Sequence, residues 1–124
     1  MSIPAFGNSL VVEMFGLGAV GASGDTGWFR LEEEDTDFLI EVSSWSATGA
    51  QFFVETDLGV VGGTQRVYQA AASGNITGNG SYEPRIDLAA IPGGSRVRVR
   101  WTMTGTGFGL RIRAVETRNG QPAS

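Results

Sequence analysis

Apolar and polar residues alternate with a period of two over much of this chain, and glycine-containing stretches interrupt the alternation. That is the pattern of half-buried strands joined by turns. The clearest run is Arg96-Val97-Arg98-Val99-Arg100-Trp101-Thr102-Met103-Thr104. Val97, Val99, Trp101 and Met103 fall on one face, and Arg96, Arg98, Arg100, Thr102 and Thr104 on the other. Gly105-Thr106-Gly107 reads as a turn, after which Phe108, Leu110, Ile112 and Ala114 resume an apolar face opposite Gly109, Arg111 and Arg113. The pattern predicts a β-hairpin with one buried and one wet face.

Earlier strands are expected over residues 9–15, 28–32, 37–44, 51–57, 65–72 and 84–91, which with the final pair makes eight. In 37–44, Phe38, Ile40 and Val42 alternate with Asp37, Leu39, Glu41 and Ser43; in 51–57, Phe52 and Val54 alternate with Gln51, Phe53 and Glu55. Leu39 and Phe53 break the alternation and require cover from a loop or a neighbouring strand. Residues 16–27, with five glycines, and residues 73–82, with Gly74, Asn75, Gly78, Asn79 and Gly80, read as loops. No segment keeps a 3.6-residue period beyond two turns.

The expectation is one all-β domain over residues 1–124, a single antiparallel sandwich of jelly-roll type, with an immunoglobulin-like sandwich as the alternative. Residues 1–8 and 118–124 lack a core-facing pattern and are expected to be extended arms.

Composition narrows the chemistry. The chain has no cysteine, histidine or lysine, so all nine basic groups are arginines. Disulfides, thiolate chemistry and the usual zinc sites are excluded. A serine nucleophile would lack the base that normally takes its proton, and arginine stays protonated. Only carboxylate chemistry survives, and no spacing of the thirteen acids points to a facing pair. The run Glu32-Glu33-Glu34-Asp35-Thr36-Asp37 offers hard oxygen ligands, but it lacks the turn glycine and distal glutamate of a calcium loop. It is expected to be a solvated turn. No enzymatic activity, cofactor or metal is expected.

Charge is uneven: residues 1–62 carry ten acids and one arginine, whereas residues 63–124 carry eight arginines and three acids. Arg96, Arg98 and Arg100 should line one strand, with Arg111 and Arg113 on the same face of the next. Like charges opposite one another in a sheet are unfavourable, so something acidic should cover this ladder. One possibility is internal, through Glu41, Glu55 or Asp57. The other is a protein interface, since guanidinium forks fit carboxylates. A nucleic-acid face fits poorly, because the chain is acidic overall and aromatic residues do not interleave with the arginines. Trp28, Trp45 and Trp101 raise the question of a carbohydrate platform, with core or edge packing favoured for each. No apolar run is long enough to span a bilayer, which takes roughly twenty residues. The first residues, Met1-Ser2-Ile3-Pro4, lack the basic region of a signal peptide, and synthesis in a cytoplasm is expected.

A longer pattern joins these elements: a strand over 38–44, a strand over 52–57 followed by a glycine- and asparagine-rich loop, then Gly94-Ser95-Arg96-Val97-Arg98-Val99-Arg100-Trp101-Thr102-Met103-Thr104-Gly105-Thr106, closed by a strand over 107–115. Over residues 36–116 it resembles small virion-associated proteins of tailed bacteriophages, whose corresponding segment looks like G-x-Y-V-R-V-x-W-T-x-x-G-T. The resemblance implies a virion component made in the bacterial host cytoplasm. A capsid decoration (cement) protein fits best, acting as a homo-oligomer, with a trimer favoured. Its partner would be the major capsid protein or another virion protein, with Arg96, Arg98, Arg100, Arg111 and Arg113 as interface candidates. A carbohydrate-binding or adhesion module on a head fibre or tail is the alternative.

Overall fold

The computed structural model describes residues 9–32 and 35–117. The expected arms at 1–8 and 118–124, and Glu33 and Glu34 of the acidic run, lie outside them. The elements are β1 (Ser9–Val20), β2 (Gly24–Asp25), β3 (Phe29–Arg30), β4 (Asp35–Ser43), β5 (Ala47–Val61), β6 (Thr64–Ala72), β7 (Gly80–Tyr82), β8 (Arg85–Asp87), a single 3₁₀ turn (Leu88–Ala90), β9 (Arg96–Gly105) and β10 (Phe108–Thr117). Among the described residues no helix is long and apolar enough to cross a membrane.

Two antiparallel sheets pack face to face. The first has the order β1-β10-β4, with the short β7 and β8 sharing the far side of β4; the second has β9-β5-β6, with the short β2 and β3 sharing the near side of β9. Counting each short pair as one position gives eight, as expected. Of the connections between these positions, the β5–β6 hairpin alone stays within a sheet; every other one crosses the core. That is jelly-roll connectivity. An immunoglobulin-like sandwich instead keeps several consecutive pairs within a sheet, so the alternative does not hold.

The core forms where inward positions of the sheets meet. Phe38, Ile40 and Val42 of β4 and Leu110, Ile112 and Ala114 of β10 face Phe52 and Val54 of β5 and Val97, Val99 and Trp101 of β9, all buried. Phe52 meets Phe108 edge to face, with ring centroids 6.0 Å apart.

The expected hairpin over residues 96–114 is corrected. β9 pairs with β5 and β10 with β4, in different sheets. The apolar faces of β9 and β10 look at each other across the core instead of lying side by side. The turn makes this possible: Gly105 and Gly107 have φ of +96° and +142°, and a Cβ at Gly107 would lie 2.3 Å from the carbonyl oxygen of Val20. Only glycine fits there. Gly107→Ala is expected to destabilise the fold by about 2–3 kcal/mol, and an unchanged thermal melt would contradict this role for the turn.

Other boundaries also move. Residues 16–27 are not one loop: β1 runs on to Val20 through two register shifts, still paired with β10 at Gly18, Ala19 and Val20, and Gly24–Asp25 adds a short strand. Residues 73–82 contain β7 and an isolated bridge between Ala50 and Ile76. The strand expected over 84–91 is three residues long and gives way to the 3₁₀ turn, capped by the Asp87 carboxylate accepting from Ala89 N–H at 3.1 Å. The strand over 28–32 is only Phe29–Arg30.

Candidate functional site

The sheet topology divides the arginine ladder. Arg96, Arg98 and Arg100 project from the outer face of the second sheet, and Arg111 and Arg113 from the outer face of the first, on opposite sides of the sandwich. The expectation that all five share one face is therefore wrong. The physical reason is the crossing at Gly105–Gly107, which keeps the same alternation but changes sheets.

On the second sheet, Glu55 of β5 stands opposite Arg98 of β9, and its side chain is only 4% exposed. One carboxylate oxygen accepts from Arg98 Nε at 2.8 Å and the other from Arg100 Nε at 3.1 Å. Arg96 reaches Asp57 at 3.1 Å. Aromatic rings complete the layer. The Arg98 guanidinium lies 4.7 Å from the centre of the Trp28 ring, and Arg100 lies 4.3 Å from that of Phe53. Stacking of this kind contributes about 0.5–2 kcal/mol, more as water is excluded. Phe53, a misfit in the alternation, thus has its cover.

On the first sheet the pairs run diagonally. Glu13 stands opposite Arg113 and Glu41 opposite Arg111, yet Arg111 bonds Glu13 at 2.9 Å and Arg113 bonds Glu41 at 2.7 Å. Leu39 lies between these pairs, opposite Arg113, and is half-buried. All five ladder arginines therefore have carboxylates of their own chain. Asp35 and Asp37 of the acidic run share Arg85, at 3.8 and 3.5 Å. Arg85 itself is 61% exposed, so these two pairs contribute little. Among the described residues no cluster of three potential metal ligands forms.

The three tryptophans are each engaged. Trp101 is buried, Trp45 stacks on Phe108 at 5.3 Å, and Trp28 lies against Arg98 and Arg96. An open groove of about 510 Å³ at one end of the sandwich is lined by Leu17, Val20, Ser43, Ser44, Thr106 and Phe108 among others, with no charged side chain in its wall. Burial pushes the Tyr82 phenol above its ordinary value, so it stays protonated at neutral pH.

What lies open is different in kind. β9 pairs with β5 only from Ala47 to Thr56, so residues 57–61 and 64–67 form a two-stranded ribbon beyond the end of the sheet. The ribbon turns at Gly62 and Gly63, with φ of +61° and +80°, as a two-residue hairpin turn of the left-handed class requires. Leu58, Val60, Val61 and Tyr68 are exposed along it, and Leu10, Val11 and Leu17 along β1. Ser9 and Thr117 pair where the chain enters and leaves the described part. The short links from Arg30 to β4 and from Asp87 to β9 place that pairing and the ribbon at the same end of the sandwich. There the buried Glu116 accepts from the Glu32 backbone N–H, fastening the crossing between sheets. The ribbon was not foreseen, although Gly-Gly flanked by Val60-Val61 and Thr64 is a hairpin signal.

No family model and no curated protein matches the sequence. Among solved structures, the chain is similar to one in the structure of infectious bursal disease virus Gx strain, with a TM-score of 0.48 and 9% sequence identity. The match covers 93% of this chain and 34% of that one, so this chain spans about a third of its length.

Proposed function

We propose that this chain is a non-catalytic structural domain of a virion, a capsid decoration protein of a tailed bacteriophage that works as a symmetric oligomer, a trimer. The observation that carries the reading is where the available surface lies. Both sheet faces are closed by internal ion pairs, while exposed apolar side chains gather on β1 and on the β5–β6 ribbon. A rigid block with adhesive edges suits assembly better than turnover. The residue pattern from Gly94 to Thr106 supplies the bacteriophage context.

In this reading the arginines act chiefly within the fold, and the contacts of the assembly come from the ribbon and the β1 edge. The carbohydrate alternative draws less support, since each tryptophan ring is already occupied by a neighbour. The test adds purified protein to heads of the encoding virus from which it has been deleted. Saturable binding at a fixed number of copies per capsomer, with heads surviving higher temperature, is the expected result. Heads that neither bind the protein nor change their melting would reject the reading.

A further inference from the structure

We propose that the ribbon of one copy packs on the β1 edge of a second copy, head to tail, so that copies close into a ring. This deepens the structural reading above and rests on it.

The large apolar residues exposed among the described residues form two groups: Leu58 (43%), Val60 (67%), Val61 (58%) and Tyr68 (39%) on or beside the ribbon, and Leu10 (51%), Val11 (58%) and Leu17 (74%) on β1. Neither group can cover the other within one chain. The short link over residues 21–23 sets β1 and β2 on one lateral edge, and β6 leads into β7 on the opposite edge. The ribbon and Leu10–Val11 nevertheless lie at the same end of the sandwich, that of the Ser9–Thr117 pair. Two complementary patches at one level on opposite sides make a heterologous contact. Such a contact closes into a ring when each copy is rotated relative to the last about an axis along the strands.

Backbone and charge agree with this occupant. Among the described residues β1 pairs only with β10, and β6 only with β5, so each presents an open edge of N–H and C=O groups there. A two-stranded ribbon is marginal by itself and gains from a third strand. Arg66, on the ribbon, and Arg30 have no carboxylate partner among the described residues, whereas the other six described arginines do. Glu13 stands on the same outer face as Val11 and engages Arg111 through one oxygen. The second copy therefore offers Arg66 a carboxylate where it offers Val60 and Val61 an apolar strand.

The experiment uses two variants, a ribbon variant Val60→Glu with Val61→Glu and an edge variant Val11→Glu, each checked for an unchanged circular dichroism spectrum and melt. By sedimentation, the wild type is expected to be oligomeric and each variant monomeric. Mixed, they should form a dimer, because the edge variant keeps its ribbon and the ribbon variant keeps its edge. The absence of cysteine allows an independent reading: Val61→Cys mixed with Val11→Cys should cross-link through a short bis-maleimide, while neither should cross-link to itself. A wild type that stays monomeric, variants that still assemble, or Val61→Cys cross-linking to itself would each overturn the proposal. The head-binding experiment decides the decoration reading separately, since it reads attachment to particles and not self-association.

Discussion

Replacing Trp101 with alanine is expected to cost about 3–5 kcal/mol, a large share of the 5–15 kcal/mol that holds a typical domain together. The indole sits at the inner face of β9, 4% exposed, and meets Phe15 of β1 edge to face at 5.3 Å. Its N–H donates to the Ala22 carbonyl at 2.9 Å, and Gly24 lies so close that a Cβ there would be 3.2 Å from the ring. One side chain thus ties β9 to the link between β1 and β2, where the sheets exchange the chain. Truncation removes the buried apolar area and leaves the Ala22 carbonyl without its donor. Trp101→Phe separates the two contributions: it keeps most of the packing and should cost only about 1–2 kcal/mol, the scale of one lost hydrogen bond with a small cavity. Urea denaturation of the three proteins checks both figures. Equal midpoints for wild type and Trp101→Ala would show that the ring is not part of the core.

The same residue shows what alternation in a sequence can and cannot reveal. Val97, Val99 and Trp101 fall on the buried face as the period of two requires, and so do Phe108, Leu110 and Ile112. Alternation fixes which way a side chain points relative to its own sheet. It does not say which sheet the strand joins, because two strands can share a core as neighbours or as opposites. The choice lies in the backbone of Gly105 and Gly107 and in the close approach to Val20, a contact distant in sequence. The glycines of residues 16–27 mislead in another way: pairing with β10 continues through them, with register shifts absorbing the irregularity. Three of the four carboxylates that cover the ladder arginines were legible as candidates, since Glu41, Glu55 and Asp57 fall on outward positions; Glu13, which pairs with Arg111, was not among them. Their assignment to particular arginines depended on strand order, and the diagonal pairs of Arg111 and Arg113 depended on side-chain reach. The ribbon was hidden because the expected strands end at 57 and resume at 65, which leaves residues 58–64 between them, and because the end of β5's pairing with β9 at Thr56 depends on strand order.

Glu55→Ala is the second substitution with a large expected effect, about 3 kcal/mol. Removing one partner of a buried ion pair typically costs 3–5 kcal/mol because an uncompensated charge is left behind. Here the orphans would be two guanidinium groups, on Arg98 and Arg100, with side chains 22% and 33% exposed. Their partial access to water places the cost at the lower end of that range. Glu55→Gln preserves the shape but removes the charge, and its amide NH₂ would face a guanidinium as donor against donor; about 1–2 kcal/mol is expected. Adding Arg98→Leu and Arg100→Leu to Glu55→Leu should recover much of the loss, because an apolar replacement leaves no charge to desolvate. The single and combined changes are therefore expected to be strongly non-additive. By contrast, Arg85→Ala, which breaks only the exposed pairs to Asp35 and Asp37, should cost no more than about 1 kcal/mol and should matter less as salt is raised. Denaturant midpoints at low and high salt measure all of these. They also separate two roles for the ladder. If Arg98 and Arg100 are held for the fold, Glu55→Ala destabilises the isolated protein. If they are instead poised for an acidic partner, it leaves stability unchanged and strengthens binding to that partner.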